Sequence, residues 1–166
     1  MGDSIEAEPR AIAFRVSGRP RPQPRPRVVK GRAISMADPR ARLWRQAVER
    51  AAREAVANSG YGAPALRGAV KLTILFQFAT KDETRWAQLH THKPDASNLL
   101  KLVEDAMEAA GALANDSQIA NPDVIKMWGE RDGMGVTAVE CPNLPRGGTV
   151  GRRNGGGELP QWLKGP

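Results

Sequence analysis

The sequence predicts an α+β fold, a mixed sheet of about four strands with two main helices. Its apolar patterns follow in the order strand, helix, strand, helix, strand, strand. The last two strands are separated only by a short turn, so they form a hairpin and not the regular strand–helix repeat of a doubly wound sheet. A chain of 166 residues buries about two-thirds of its unfolded surface. Its core therefore needs neither a metal nor a disulfide.

The first half of the chain contains two strands and one helix. Residues Ala11–Ser17 alternate apolar and polar side chains, which predicts a strand that Gly18 ends. A helix is expected over Pro39–Asn58, because proline suits a first helical turn and Gly60 suits a helix end. Strict alternation over Ala69–Ala79 predicts a half-buried strand. The apolar stripe of the helix is expected to consist of Leu43, Ala47, Val48, Ala51, Ala52 and Ala55.

The second half contains one helix and two strands. The helix is predicted over Asn98–Ala110, with Ser97 or Asn98 as its capping residue. Strands are predicted over Val124–Glu130 and Val136–Glu140, joined by a turn. The apolar face of the helix consists of Leu99, Leu102, Val103, Ala106 and Ala110.

Composition divides the chain into a folded domain and two ends. The last 25 residues contain 7 glycines and 4 prolines, and so few apolar groups cannot offset the entropy of ordering the chain. We therefore expect disorder over residues 1–9 and 142–166. The folded domain is expected over residues 10–141.

Cysteine content and hydropathy exclude several classes of protein. Cys141 is the only cysteine, which excludes a disulfide framework and a cysteine-based zinc site. No apolar run approaches the roughly 20 residues of a membrane helix. The start of the sequence lacks the basic and apolar regions of a secretory signal. These features predict a soluble cytoplasmic protein that does not contact membranes.

Positive charge is concentrated near the start of the chain. The formal net charge is +7, and residues 1–60 contain 13 basic and 6 acidic side chains. We call residues 18–32 the basic loop; its alternating prolines and arginines predict extended or polyproline-like chain. Arginine forms forked hydrogen bonds with phosphate, so this loop predicts nucleic-acid binding, although it also fits a solubilising loop. The candidate nucleic-acid-binding residues are Arg19, Arg21, Arg25, Arg27, Lys30 and Arg32.

Two aspartates flank the second predicted helix. Asp95 precedes it and Asp116 follows it, both in polar segments. The helix is about 20 Å long, and the extended return segment also spans roughly 20 Å. Asp116 therefore reaches Asp95 if the return segment runs antiparallel to the helix, or the pair is completed across a subunit interface. Together the carboxylates suit Mg²⁺, while separately each is an ordinary capping or turn residue.

The pattern KPD-x-x-NLLK followed by NDSQI resembles the RusA family of Holliday junction endonucleases. The family pattern is close to KPD-x-DN-x-x-K and DD-x-Q, and the spacing between the first and last aspartates is the same. The strand leading into GRPRPQPRPR is also similar to the family's opening, so the resemblance covers roughly residues 12–140. The matching residues are Lys93, Pro94, Asp95, Asn98, Leu99, Lys101, Asp116, Ser117, Gln118 and Ile119.

The resemblance implies a fold, an activity and roles for individual residues. Asp95 and Asp116 correspond to two of three catalytic, metal-binding aspartates, and Lys101 to a lysine that contacts the scissile phosphate. Family members are homodimers that cut four-way DNA junctions with Mg²⁺, for which Mn²⁺ is a possible substitute. This implies a RusA-like homodimer in the cytoplasm of a bacterium or of a phage-infected host cell.

The site departs from the family pattern at two positions. Ser97 stands where the family has its middle aspartate, and Asn115 where it has the first residue of its DD pair. Beside Asn98, these residues are expected to line the site. Three explanations remain open: Asp105 or Glu104 supplies the missing charge, Ser97 holds a metal-bound water, or the chain binds junctions and cuts them poorly.

The sequence leaves three functions in competition. They are a structure-selective nuclease, a catalytically weakened or inactive junction-binding protein of the same fold, and a basic scaffold whose aspartates only cap a helix. His90 and His92 form an H-x-H pattern that fits a transition-metal pair or polar loop residues near DNA. The tryptophans Trp44, Trp86 and Trp128 fit base stacking or, preferably, core and subunit contacts.

Overall fold

The chain is described by a computed structural model over residues 8–24, 27–29, 31–34 and 38–141. The predicted disordered ends lie outside the described residues, except for residues 8 and 9. Within the described residues, six strands and two α-helices follow one another. They are β1 (Ala11–Ser17), β2 (Arg27–Val29), β3 (Arg32–Ile34), α1 (Pro39–Ser59), β4 (Val70–Ala79), α2 (Ala96–Ala109), β5 (Ile119–Gly129) and β6 (Gly133–Glu140).

The main sheet has four strands in the order β1-β6-β4-β5. Strands β4 and β5 are parallel, whereas β6 runs antiparallel to both β1 and β4. The predicted α+β fold with a mixed four-stranded sheet and two main helices is confirmed. Strands β2 and β3 form a separate antiparallel hairpin. Their backbone is extended, as expected for the basic loop, but the pairing of the two strands was not predicted.

Strand β4 and the two helices build one hydrophobic core. Alternate residues of β4 from Val70 to Phe78 are buried, as the alternation predicts. Every predicted apolar residue of α2 is also buried, and Met107 joins them. These side chains pack with those of α1 and β1 in one cluster. The core therefore fixes α2, and with it the residues before and after this helix.

The buried face of α1 differs from the predicted stripe. The helix begins after Asp38, whose side chain accepts a hydrogen bond from the Arg40 amide at 2.9 Å, and it ends at Gly60. Leu43 is 61% exposed, although it was expected in the core. The buried residues are Ala41, Trp44, Val48, Ala52 and Val56. The indole of Trp44 packs against Gly18 and faces the core. The buried face of α1 therefore lies about one residue further along the helix than the predicted stripe.

The start of β5 lies earlier than the sequence predicts. It begins at Ile119 and includes Pro122, which pairs in register with Leu72 of β4. Proline lacks an amide donor and so cannot donate a ladder hydrogen bond. Because β5 is at the edge of the sheet, however, the missing donor costs no ladder bond. Strand β6 likewise begins at Gly133 and not at Val136.

Candidate active site at the amino end of the second helix

Asp95 is the residue at which helix α2 begins. It is the N-cap, which corrects the expectation that Ser97 or Asn98 has this role. Its carboxylate makes no capping hydrogen bond with the helix. Asp95 is exposed and lies at the amino end of α2, where the helix dipole has its positive end. Its carboxylate is thus accessible to solvent.

Lys126 on β5 holds the loop that leads to Asp95, and sequence reasoning missed it. Its Nζ donates to the carbonyl oxygens of His92 at 2.7 Å and Pro94 at 2.6 Å. Partial burial lowers the pKa of the Lys126 ammonium, and the charge of Asp95 acts in the opposite direction. The signal in the sequence was a single lysine within the apolar run VIKMW, and the structure shows this lysine half-buried.

Lys101 connects α2 with the segment that follows it. Its Nζ lies 2.5 Å from Asp116 Oδ2 and 3.0 Å from Asp105 Oδ1. The hydrogen bond from Lys101 is the main cause that lowers the pKa of Asp116, and both carboxylates raise the pKa of Lys101. The ion pair between Lys101 and Asp105 is the one that their spacing of four residues favours. The pair with Asp116 joins positions 15 residues apart.

The turn that contains Asp116 is held by Gln118 and capped by Asn115. The Asn115 side chain accepts from the Ser117 amide at 2.9 Å. Gln118 makes four hydrogen bonds to backbone groups. Its Oε1 accepts from the amides of Ala114 at 2.6 Å and Asn115 at 3.1 Å, and its Nε2 donates to the carbonyls of Leu66 at 3.2 Å and Gly68 at 3.0 Å. The turn thereby returns Asp116 along α2 to the reach of Lys101.

The remaining predicted site residues lie on α2 or beside it. Ser97 and Asn115 are exposed, and Asn98 is half-buried. Glu104 is half-buried, and burial is the main cause that raises the pKa of its carboxyl group. Lys101 opposes this shift, whereas Asp116 adds to it. Both carboxylates proposed to replace the missing aspartate, Glu104 and Asp105, thus lie in the electrostatic environment of the lysine.

The basic loop is docked on α2 through Gln23. The Gln23 amide donates to the carbonyl of Asn98 at 2.9 Å, and its side-chain Nε2 donates to Asp105 Oδ2 at 3.2 Å. Arg19 is exposed and Arg21 half-buried. Of the other predicted binding residues, Arg27 and Arg32 lie in β2 and β3, while Arg25 and Lys30 lie outside the described residues.

His90 is a packed aromatic residue and not a polar loop residue. It is 5% exposed, and its ring stacks 4.2 Å from Phe78 and 4.2 Å from Trp128 between centroids. Desolvation is the main cause that lowers the pKa of His90. His92 is exposed and meets the His90 ring edge-on at 5.8 Å. The ring contacts with Phe78 and Trp128 account for the burial of His90.

The three tryptophans that the structure describes differ in burial. Trp44 is 5% exposed and belongs to the core, as preferred from the sequence. Trp128 is half-buried and packs against the core. Trp86 is 39% exposed, and its Nε1 donates to the carbonyl of Thr80 at 3.2 Å.

The oxygen donors along α2 are of the type that suits a hard cation, although no contact joins Asp95 to Asp105 or Asp116 among the described residues. Asp116 and Asp105 already share one positive charge, the Lys101 ammonium, and Asp95 faces solvent at the start of the helix. Carboxylates with open positions for water and phosphate are the usual Mg²⁺ ligands. Within residues 8–141, as far as they are described, no three His, Cys, Asp or Glu side chains form a group that could hold a metal ion. The donor types therefore fit Mg²⁺, but the described residues form no closed cage for it.

Similarity to known proteins places this chain in a family of endodeoxyribonucleases. The family model described as Endodeoxyribonuclease RusA matches residues 17–138, which include all of α2 and β5. The chain belongs to the RusA family. Over 71 residues it is 32% identical to the crossover junction endodeoxyribonuclease rusA of Lactococcus phage r1t. This match covers 43% of the chain and 54% of the phage protein, so the chain spans about half the length of that curated relative.

Among the residues that the structure describes, no helix is long and apolar enough to cross a membrane.

Proposed function

We propose that the protein is a Mg²⁺-dependent, structure-selective endonuclease that resolves Holliday junctions by paired phosphodiester hydrolysis. Membership of the RusA family supports the reaction class. The observation that carries the proposal is the contact between Lys101 and Asp116. This contact joins two motif positions, one on α2 and one in the turn after it. The basic loop contacts the same helix.

Asp95 and Asp116 are the residues proposed to hold the cation, for which Mn²⁺ is a possible substitute. A divalent cation supplies Lewis acidity and lowers the pKa of an attacking water. The ammonium of Lys101 is placed to offset negative charge that develops on the phosphate. Its present ion pairs with Asp116 and Asp105 keep it protonated and hold it beside the site.

The partners proposed for this enzyme are four-way DNA junctions and a second copy of the chain. The arginines of the basic loop would bind phosphates along the junction arms without reading the sequence. Two symmetric cuts on a two-fold substrate require two sites, which a homodimer provides. Light scattering should give a mass twice 18.0 kDa, and a monomer at assay concentration would contradict the dimer. The proposed compartment is the cytoplasm of a bacterial or phage-infected cell, where such DNA occurs.

A catalytically weakened junction-binding protein is the second candidate. Ser97 removes one carboxylate, and Asp105 is already bonded to both Lys101 and Gln23. Glu104 has a raised pKa and is partly buried, which makes it a weaker cation ligand than an exposed carboxylate. These observations favour reduced affinity for the cation.

Cleavage of a labelled synthetic four-way junction tests the proposal, with a linear duplex as the control substrate and with Mg²⁺ or Mn²⁺. The wild type should make paired symmetric cuts in the junction alone. The change Asp95→Asn should lower the rate at least 100-fold and leave junction binding intact. Asp123→Asn, an exposed aspartate of β5, is the matched control and should cleave like the wild type. A junction that is bound but uncut in both metals would favour the second candidate.

A further inference from the structure

Asp105 divides its two carboxylate oxygens between the lysine and the basic loop. Oδ1 lies 3.0 Å from the Nζ of Lys101, and Oδ2 accepts a hydrogen bond from Gln23 Nε2 at 3.2 Å. The side chain of Asp105 is 25% exposed, whereas that of Lys101 is 47% exposed. The carboxylate of Asp105 is therefore less exposed than the lysine that it links to the loop.

Gln23 is an uncharged residue within a strongly basic segment. Arg21 and Arg25 lie two positions before and after it in the sequence, but the side chain of Gln23 contacts α2. Its backbone amide donates to the carbonyl of Asn98 at 2.9 Å, in the first turn of α2, and its side chain donates to Asp105, in the third turn. Two hydrogen bonds therefore fix this point of the loop along the helix. A glutamine has no electrostatic attraction for phosphate, so its side chain adds little to DNA affinity directly.

We propose that Gln23 and Asp105 are positioning residues that couple the basic loop to Lys101. The inference rests on the proposed nuclease function. It adds a chain of contacts that links DNA binding by the basic loop to the position of Lys101. Phosphates bound by the loop arginines fix the loop, the loop fixes Asp105 through Gln23, and Asp105 fixes the ammonium of Lys101. An exposed ion pair alone restrains a lysine weakly. The additional hydrogen bond from Gln23 restricts the orientation of the Asp105 carboxylate. It therefore also restricts the positions available to the Lys101 ammonium.

The change Gln23→Ala separates this role from DNA binding. It removes the bond to Asp105 but keeps the backbone amide that contacts Asn98. We expect the single-turnover cleavage rate at saturating enzyme to fall about five- to tenfold, since one lost hydrogen bond changes an equilibrium by about that factor. The junction Kd, measured without divalent metal, should change less than twofold. Gln88→Ala removes a glutamine bond elsewhere on the surface and is the matched control.

The variant Asp105→Asn completes a double-mutant cycle. Asparagine still accepts a hydrogen bond from Gln23 but loses the charge that pairs with Lys101, so the rate should again fall with Kd unchanged. If both residues act through Lys101, the double variant should lose less than the product of the two single effects. Circular dichroism and melting temperature establish that each variant is folded.

The outcomes separate the coupling from the proposed function. A wild type that cuts junctions, with a Gln23→Ala variant of equal rate, would overturn the coupling and leave the nuclease function intact. A Gln23→Ala variant that loses affinity and keeps its rate at saturation would also overturn it, because Gln23 would then act only in binding. Multiplicative losses in the cycle would show that the two residues act independently. A wild type that cuts no junction would refute both proposals.

Discussion

The ammonium of Lys126 connects strand β5 to the loop that ends at Asp95. Lys126→Met removes two hydrogen bonds from a charged donor and leaves the carbonyls of His92 and Pro94 without it. We expect a loss of about 2 kcal/mol in the free energy of unfolding. Lys126→Arg, which keeps the charge and can donate twice, should recover part of it. Urea denaturation gives both values, and a methionine variant as stable as the wild type would contradict the role.

Glu104 should make stability depend on pH. Its folded-state pKa is raised above the ordinary 4.5, mainly by burial. A raised carboxyl pKa contributes stability that is fully present below the unfolded pKa and is lost as the pH rises through the folded pKa. Glu104→Gln removes this dependence, so the variant should gain stability relative to the wild type between pH 4 and pH 7.

Urea midpoints at the two pH values measure this difference. Glu54→Gln, an exposed glutamate on α1, is the control and should give the same difference from the wild type at both pH values. A Glu104→Gln variant whose relative stability falls towards pH 7 would show that the attraction to Lys101 outweighs burial.

At the level of elements, the short turn after α2 depends on Gln118. Its four backbone hydrogen bonds fix the turn to the segment before β4 and so determine where Asp116 lies. Gln118→Ala should cost about 2 kcal/mol of stability and lower the cleavage rate while the junction Kd is kept. Gln118→Glu keeps the two accepted bonds but places a carboxylate oxygen against the carbonyls of Leu66 and Gly68, so its losses should be at least as large. Equal activity of the alanine variant and the wild type would mean that the turn is fixed by other contacts.

For the molecule as a whole, the uneven charge predicts how binding responds to salt. Each phosphate contact contributes about 0.9 to the slope of log K against log salt concentration. Arg21→Ala should therefore weaken junction binding and reduce the slope by about 1. Arg50→Ala removes the same charge from the exposed side of α1 and serves as the control. An unchanged slope for Arg21→Ala would remove this residue from the DNA-binding surface.

The sequence by itself determined the order of elements, because the period of apolar side chains is a local property. Strand β1 and the alternation of β4 were predicted to within one residue, and α1 to one residue at its end. The same holds for the apolar face of α2, because Leu, Val and Ala recur there at helical spacing. The motif flanking α2 also indicated the family, which the match over residues 17–138 confirmed.

Only the tertiary structure decided which charges meet. Lys126 and Asp95 lie on different elements, and nothing in their spacing indicates that they are neighbours. Gln23 and Asp105 are 82 positions apart, yet they share a hydrogen bond. Pro122 fits a strand because β5 is an edge strand, a property of the sheet and not of the residue. Helical and strand periods follow from local backbone geometry, whereas the site depends on how separate elements pack around a shared core.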